Sequence, residues 1–314
     1  MSGGEGALQR LRFRAMGCPC QIWVHGDAAA EIARQAQAEI LRLEAKFSRY
    51  RDDSVLSRIN AAAGADWVDV DPETEQLLDY AAVAWEQSGG LFDITSGILR
   101  RAWDFRSQRL PNSAEIQALL PLIGWRLVER EAGRLRLPHA GMELDFGGFG
   151  KEYAVDAARA LCAQAGLRHG LIDLGGDIAI IGPQPDGAPW RVGISDPASP
   201  GRARIELPMA GGCLATSGNY QRYLIADGVR YCHLLAPSTG WPAQGSYAGV
   251  SVLAEQCLIA GTASTVAMLQ PAPQAAEWLD SVGLPYLWID AQGRCGGPLG
   301  AQGTEIPSLL PTNR

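Results

Sequence analysis

Three turns rich in glycine and other small residues carry the side chains best suited to chemistry. The first runs Asp145-Phe-Gly-Gly-Phe-Gly-Lys-Glu-Tyr-Ala-Val-Asp156. It follows a strand-like run and opens a helix-like one, where free backbone N–H groups and the helix dipole attract a phosphate. Lys151 adds a cation directly after Gly147-Gly148-Phe149-Gly150. The alternative is a tight turn before a packed helix. Two familiar phosphate motifs fail here. A P-loop needs glycine at position 145 and Ser or Thr at position 152, where Asp145 and Glu152 stand, and a dinucleotide fingerprint needs a third glycine where Tyr153 stands. The other turns are Leu174-Gly-Gly-Asp177 and Ala215-Thr-Ser-Gly-Asn-Tyr220. Brought together, the three would line a pocket with backbone donors.

The composition limits what such a pocket holds. The chain has 314 residues, 47% of them hydrophobic, and a net charge of −7. It can bury a sizeable core but offers no broad electrostatic footprint for nucleic acid or an anionic membrane. An anionic ligand must therefore be held by local donors or by a metal. Met1 to Gln9 are mostly small or polar, and no window reaches the ~18 apolar residues of a membrane span. The expectation is a cytoplasmic protein, or a periplasmic one if a leader has been removed. Seven cysteines are scattered, and only Cys18 and Cys20 are close, with one residue between them. That spacing suits neither a zinc site nor a disulfide framework, so the cysteines are read as small core residues.

The elements that must position these turns are partly legible. Ile32, Ala36, Ile40, Leu43 and Phe47 recur at three- to four-residue spacing, which predicts an amphipathic helix over 28–47. Asp71 as N-cap with Pro72 at the first helical position starts a second helix, which Gly89-Gly90 stops. Further helices are expected over 113–122, 151–165 and 259–269. Strand-like runs cover 135–137, 142–146, 171–174, 178–181, 190–194, 204–207, 249–254 and 286–289. Asp227-Gly228 between 223–226 and 229–235 is a strong hairpin signal. Strands and helices do not alternate strictly, so the fold class expected is α+β, with mixed, mainly antiparallel sheets and packed helices. There is no internal repeat or convincing linker, and a tail is expected after residue 300.

In order along the chain, the motifs resemble the ApbE family of FAD:protein FMN transferases from about Phe13 to Leu269. The matching segments are Met16-Gly17, Phe47-Ser-Arg-Tyr50, Ser57-Arg-Ile-Asn60 and Ser88-Gly-Gly-Leu-Phe-Asp-Ile-Thr-Ser-Gly97. They continue with Gly124-Trp125, the Asp145 to Asp156 block, Asp173 to Asp177, Trp190 to Pro197, Ala215 to Tyr220, and Tyr231-Cys-His233 followed by Pro237-Ser-Thr-Gly240. The resemblance implies one ApbE-like domain over 11–300, with 301–314 as a C-terminal tail. It also implies an enzyme that binds FAD, breaks its pyrophosphate and places FMN on a threonine or serine hydroxyl of an acceptor protein. In such phosphoryl chemistry catalysis consists of positioning, charge neutralisation by a divalent cation and activation of the attacking hydroxyl.

The family register assigns Met16 and Tyr50 to the isoalloxazine, the alternative for each being a core position. Asp93 and Thr95 are further cofactor candidates, but an Asp-x-Thr can equally cap the turn after Gly90. Thr216, Ser217, Gly218, Arg222 and His233 are candidates for the adenosine half and the pyrophosphate, with Lys151 and Asp177 beside the glycine turns; His233 is alternatively a structural histidine. Members of the family hold Mg²⁺ through an Asp and a Thr four residues apart on a late helix, with a backbone carbonyl from the glycine turn. Here Thr265 matches the Thr, Gly150 is the presumed carbonyl, and Gly261 stands where the Asp belongs, which predicts a weakened metal site. Two more departures are Ala236, where an aspartate is usual, and Glu152, where a glycine is usual. Glu152 is either the source of the missing carboxylate or an exposed first-turn residue favoured by the helix dipole. Thr265, Lys151 and Glu152 are thus the catalytic candidates. A protein that binds FAD as a carrier, sensor or partner without transferring FMN is the alternative if Gly261 disables the site; hydrolysis of FAD by water is a third possibility.

Overall fold

The computed structural model describes residues 7–300 other than 108, 200 and 221, so the expected tail at 301–314 lies outside the described residues. The first half of the chain runs β1 (Gln9–Ala15), β2 (Cys18–His25), α1 (Ala29–Phe47), α2 (Val55–Ala61), β3 (Val68–Asp69), α3 (Pro72–Gln87), α4 (Ser113–Leu119), β4 (Glu129–Glu131) and β5 (Arg134–Arg136). Then come α5 (Gly150–Gln164), β6 (His169–Leu174), β7 (Asp177–Gly182), β8 (Trp190–Ser195), β9 (Ala203–Met209) and β10 (Cys213–Gly218). The chain continues with β11 (Tyr223–Ala226), β12 (Val229–Cys232), β13 (Gly249–Ala254), α6 (Cys257–Met268), α7 (Ala272–Val282), β14 (Tyr286–Ile289) and β15 (Cys295–Gly296).

Eight strands form one sheet in the order β1-β2-β6-β7-β10-β13-β14-β15, and all of its pairings are antiparallel. This is the α+β architecture expected. Period-two alternation sorts the core between the faces. Ile22, Ile172, Ala179, Val250 and Val252 pack with α1, α5 and α6, while Leu171, Ile180, Leu214, Leu253 and Leu287 pack with the β8–β9 ribbon. Every residue of β13 is buried, as a strand covered on both faces requires. A second helical core joins α2 and α3 to the segment leading into α5. Among the described residues no helix is long and apolar enough to cross a membrane.

The helices start where their sequence signals lie. Asp71 accepts from the Glu73 and Thr74 N–H groups, and Asn112 with Glu115 forms a capping box at α4. The Asp227-Gly228 hairpin forms with both residues at positive φ, although its second strand ends at Cys232 rather than Leu235. Residues 142–146 form no strand, contrary to expectation. Their backbone is satisfied otherwise: the Asn60 side chain bonds both the N–H and the C=O of Leu144, and Asp145 N–H donates to the Ile94 carbonyl.

Glu73 ties α3 to two other helices. It accepts from Arg42 at 2.6 Å and Lys46 at 2.6 Å on α1, and from Tyr153 Oη at 3.2 Å on α5. Arg42 first, and then Lys46, hold its carboxyl down at about 2 instead of 4.5. The stabilisation is therefore present above pH 4.5 and lost as pH falls towards 2. Because the cluster is partly solvated, Glu73→Gln is expected to cost only about 0.5–1 kcal/mol at neutral pH. It should also flatten the acid limb of stability, which denaturant melts across that pH range would measure.

Candidate active site

The first glycine turn is held from outside. Asp145 pairs with Arg49 and accepts the Gly147 N–H at 2.8 Å. Gly97 lies directly against it, since a Cβ at Gly97 would sit 2.8 Å from Asp145 Oδ2. The turn enters α5 through Phe149, which is fully buried, and no side chain caps the helix. Gly150 N–H donates to the Phe146 carbonyl at 2.6 Å, and the N-cap position supplies no side-chain acceptor.

Lys151 pairs with Asp177, the first residue of β7, which is 1% exposed. Asp177 also accepts the Thr216 N–H at 3.2 Å, so the three glycine turns meet at this pair. Burial opposes the Lys151 charge, but Asp177 and then Glu152 outweigh it and raise its pKa. The ammonium is thus fixed as a cation. Arg222 and His233 close one side: His233 N–H donates to the Arg222 carbonyl at 3.1 Å. Burial, then the charges of Arg222 and Lys151, hold the His233 imidazole down at about 4, so it is neutral near pH 7.

The opposite wall is α6. Ser217 Oγ lies 2.8 Å from Ser264 Oγ and 3.0 Å from Thr265 Oγ1. Thr216 Oγ1 bonds Ser251 Oγ at 2.8 Å. The helix is fastened at its N-terminus by Asp156 of α5, which accepts the Cys257 and Leu258 N–H groups at 2.8 and 2.9 Å. Tyr80 of α3 donates to Thr262 Oγ1 or the Leu258 carbonyl. Small residues line α6 where it packs on α5, and Gly261 lies directly against the Glu152 side chain. Glu152 is 8% exposed, which excludes the solvated first-turn alternative. Its Oε2 has no hydrogen-bond partner. Burial first, then the like charge of Asp177, pushes its carboxyl up to about 8.

Met16 and Gly17 form the turn between β1 and β2, with φ of +53° and +73°. A left-handed methionine is costly, and here Glu44 Oε1 accepts its N–H at 2.6 Å. A Cβ on Gly17 would lie 3.8 Å from an Arg222 guanidinium nitrogen, which places this turn at the rim beside Arg222. Cys18, half-buried, feels the charges of Lys151, Asp177 and Asp173 and belongs to the same corner. Gly218 ends β10 with the Tyr220 ring packed against it. Tyr50 is 79% exposed, with the Arg49 guanidinium 4.9 Å over its ring. The structure therefore gathers Gly150, Lys151, Glu152, Asp177, Thr216, Ser217, Arg222, His233 and Thr265 around one corner, with Met16 and Gly218 at its edge. Among the described residues no three His, Cys, Asp or Glu side chains form a ready-made metal cage.

The pattern of the ApbE family matches residues 16–288. The chain belongs to the ApbE family. It is 31% identical to a FAD:protein FMN transferase of Treponema pallidum, over 82% of this chain and 80% of that one. A FAD:protein FMN transferase of Vibrio cholerae is 29% identical over 82% and 80%. The crystal structure of the ApbE protein from Thermotoga maritima superposes with a TM-score of 0.86 at 31% identity, covering 93% of this chain and 97% of that one. The apo flavinyl transferase ApbE of Pseudomonas stutzeri superposes with a TM-score of 0.84 at 26% identity, covering 95% and 96%.

Two residues that the ApbE register offers for the cofactor are hydrogen-bonded within the fold. Asp93 Oδ1 accepts from the Thr95 N–H and hydroxyl, and Oδ2 accepts from Trp85 Nε1 and the Trp125 N–H. Thr95 Oγ1 in turn accepts the Gly124 N–H at 2.7 Å. Both are buried, and the capping contacts form: they clamp Gly124-Trp125 onto the turn after Gly90. Asp93→Ala would strand these donors and is expected to cost about 3 kcal/mol, whereas Asp93→Asn, which keeps one acceptor oxygen, should cost less. Thermal melts of the two variants check this. The motifs did not point to Asp156 or to the Arg49–Asp145 pair. Asp156 had a readable signal, since it stands four residues after Glu152 and must share its helix face.

Proposed function

We propose that this ApbE-family chain is a FAD:protein FMN transferase, which uses Mg²⁺ to move FMN from FAD onto a Thr or Ser hydroxyl of an acceptor protein. The observation that carries the reading is the corner where Lys151–Asp177, the uncapped start of α5 and the hydroxyls of Thr216, Ser217 and Thr265 meet. Its cation and N–H donors suit a pyrophosphate. The Treponema pallidum and Vibrio cholerae relatives are FAD:protein FMN transferases.

The oxygen donors also fit a hard divalent cation. Thr265 Oγ1 and the Gly150 carbonyl would hold it, together with a carboxylate from the corner where Glu152 lies buried beside the Lys151–Asp177 pair. When bound, the metal would neutralise phosphoryl charge.

The remaining work falls to the chain. Lys151 stays protonated and balances the pyrophosphate charge, with Asp177 fixing its direction. Arg222 and neutral His233 flank the nucleotide side, while Met16, at its left-handed turn, faces the flavin side. The acceptor hydroxyl oxygen bonds to the phosphorus on the riboflavin side, the P–O bond to the AMP half breaks, AMP leaves and the hydroxyl proton is released. Position and preformed charge account for such a step. The test is stoichiometry: AMP released from FAD should match flavin fixed covalently on the acceptor, one for one. AMP with only free FMN would mean hydrolysis and would refute the proposal.

A further inference from the structure

The site departs from its family at two positions that touch each other. By the family resemblance an aspartate is expected where Gly261 of α6 stands, and a glycine where Glu152 of α5 stands. A Cβ built on Gly261 would lie 2.5 Å from Glu152 Cγ, 3.0 Å from Cδ and 2.9 Å from Oε1. The space that a side chain at position 261 would enter is thus already filled by the Glu152 side chain. One carboxylate fits there, and two do not.

We propose that Glu152 carries the metal-binding carboxylate of this chain: the two helices have exchanged the ligand, and the corner it serves is retained. This rests on the transferase reading above. Three further observations support it. Glu152 is more than nine-tenths buried, no donor reaches its Oε2, and its neighbour is the carboxyl of Asp177, a costly arrangement with no cation to serve. Lys151 pairs with Asp177 and its charge also acts on Glu152, which leaves two buried carboxyl groups to one ammonium. Thr265 stands four residues beyond Gly261 on one face of α6, and its hydroxyl lies 3.0 Å from Ser217 Oγ on the site side. Hydroxyl and carboxylate oxygens together make a donor set for a hard cation.

The exchange makes a reciprocal prediction that a merely structural acid would not. Mn²⁺ is the probe, its free fraction read by electron paramagnetic resonance with the full chain and FAD, and folding followed by thermal melts. Glu152→Gln, which is nearly isosteric, is expected to weaken Mn²⁺ binding about 10- to 100-fold while melting no lower than the parent. Gly261→Asp alone forces a second carboxylate into filled space and should lower the melting temperature. The double variant Glu152→Gly with Gly261→Asp should regain both the fold and Mn²⁺ affinity. Parent-like Mn²⁺ binding by folded Glu152→Gln would overturn the proposal. So would a folded double variant that binds no Mn²⁺, or a parent chain that binds none. If the parent binds Mn²⁺ through Glu152 yet fixes no flavin on any acceptor, the ligand assignment stands and the transferase reading falls.

Discussion

Lys151→Met is expected to lower kcat/KM for FMN transfer by about a thousand-fold, the scale seen when a preorganised charge donor is removed from a phosphoryl or oxyanion site. It should also lower stability, because Asp177 is 1% exposed and loses the ammonium that pairs with it. Breaking a buried pair from one side costs about 3–5 kcal/mol, mostly from the charge left behind. The two effects separate in the double variant Lys151→Met with Asp177→Asn. The amide keeps an acceptor for the Thr216 N–H, now 3.2 Å from Asp177 Oδ1, and removes the buried charge that Lys151 had paired. Stability should return most of the way while transfer stays lost. Denaturant melts alongside AMP release would show this. If transfer returned with stability, Lys151 would be structural only.

The second large effect is expected at Asp156, which contacts no substrate group in this account. It joins α5, bearing Lys151 and Glu152, to α6, bearing Gly261 and Thr265, through hydrogen bonds of 2.8 and 2.9 Å to the first N–H groups of α6. Asp156→Ala removes a helix cap, which costs about 2 kcal/mol, and releases the register between the two helices. A displacement of about 1 Å in a positioned site costs on the order of a hundred-fold in rate. Asp156→Asn should be far milder, since burial pushes this carboxyl up and works against its charge, so the acceptor geometry matters more than ionisation. Comparing transfer rates of the two variants at equal folded fraction distinguishes lost register from lost stability.

Much of this was legible in the sequence because the signals were local. The Asp71–Pro72 start of α3, the Asp227-Gly228 hairpin and the apolar stripe of α1 are short-range choices that tertiary structure did not override. Residues 142–146 read as a strand because Met142, Leu144 and Phe146 alternate. They are buried as that alternation implies, but Asn60 and Ile94 supply the hydrogen bonds that a partner strand would. β1 and β2 carried a readable alternation too, with Leu11, Phe13 and Ala15 against Arg10, Arg12 and Arg14, and they form one end of the main sheet.

For the site, residue type and family order were sufficient to collect most of its members but did not fix their roles. Asp93 and Thr95 look like ligand groups in one dimension and are consumed by Trp85, Gly124 and Trp125 in three. Glu152 carries the opposite lesson. A first-turn glutamate is ordinarily solvated, and only the packing of α5 on α6 reveals that the missing side chain of Gly261 leaves the space Glu152 fills. A glycine and a glutamate more than 100 residues apart do not announce that they share a corner.

The most direct test of the account is covalent flavin on an acceptor. The full chain, FAD, Mg²⁺ and an acceptor protein with an accessible threonine are incubated, the mixture is denatured, and the acceptor is examined by mass spectrometry. The account predicts an acceptor carrying FMN in phosphoester linkage at that threonine, with AMP released in equal amount and both products abolished by chelator. An acceptor of unchanged mass beside FAD that remains intact, or is only hydrolysed to free FMN, would contradict it.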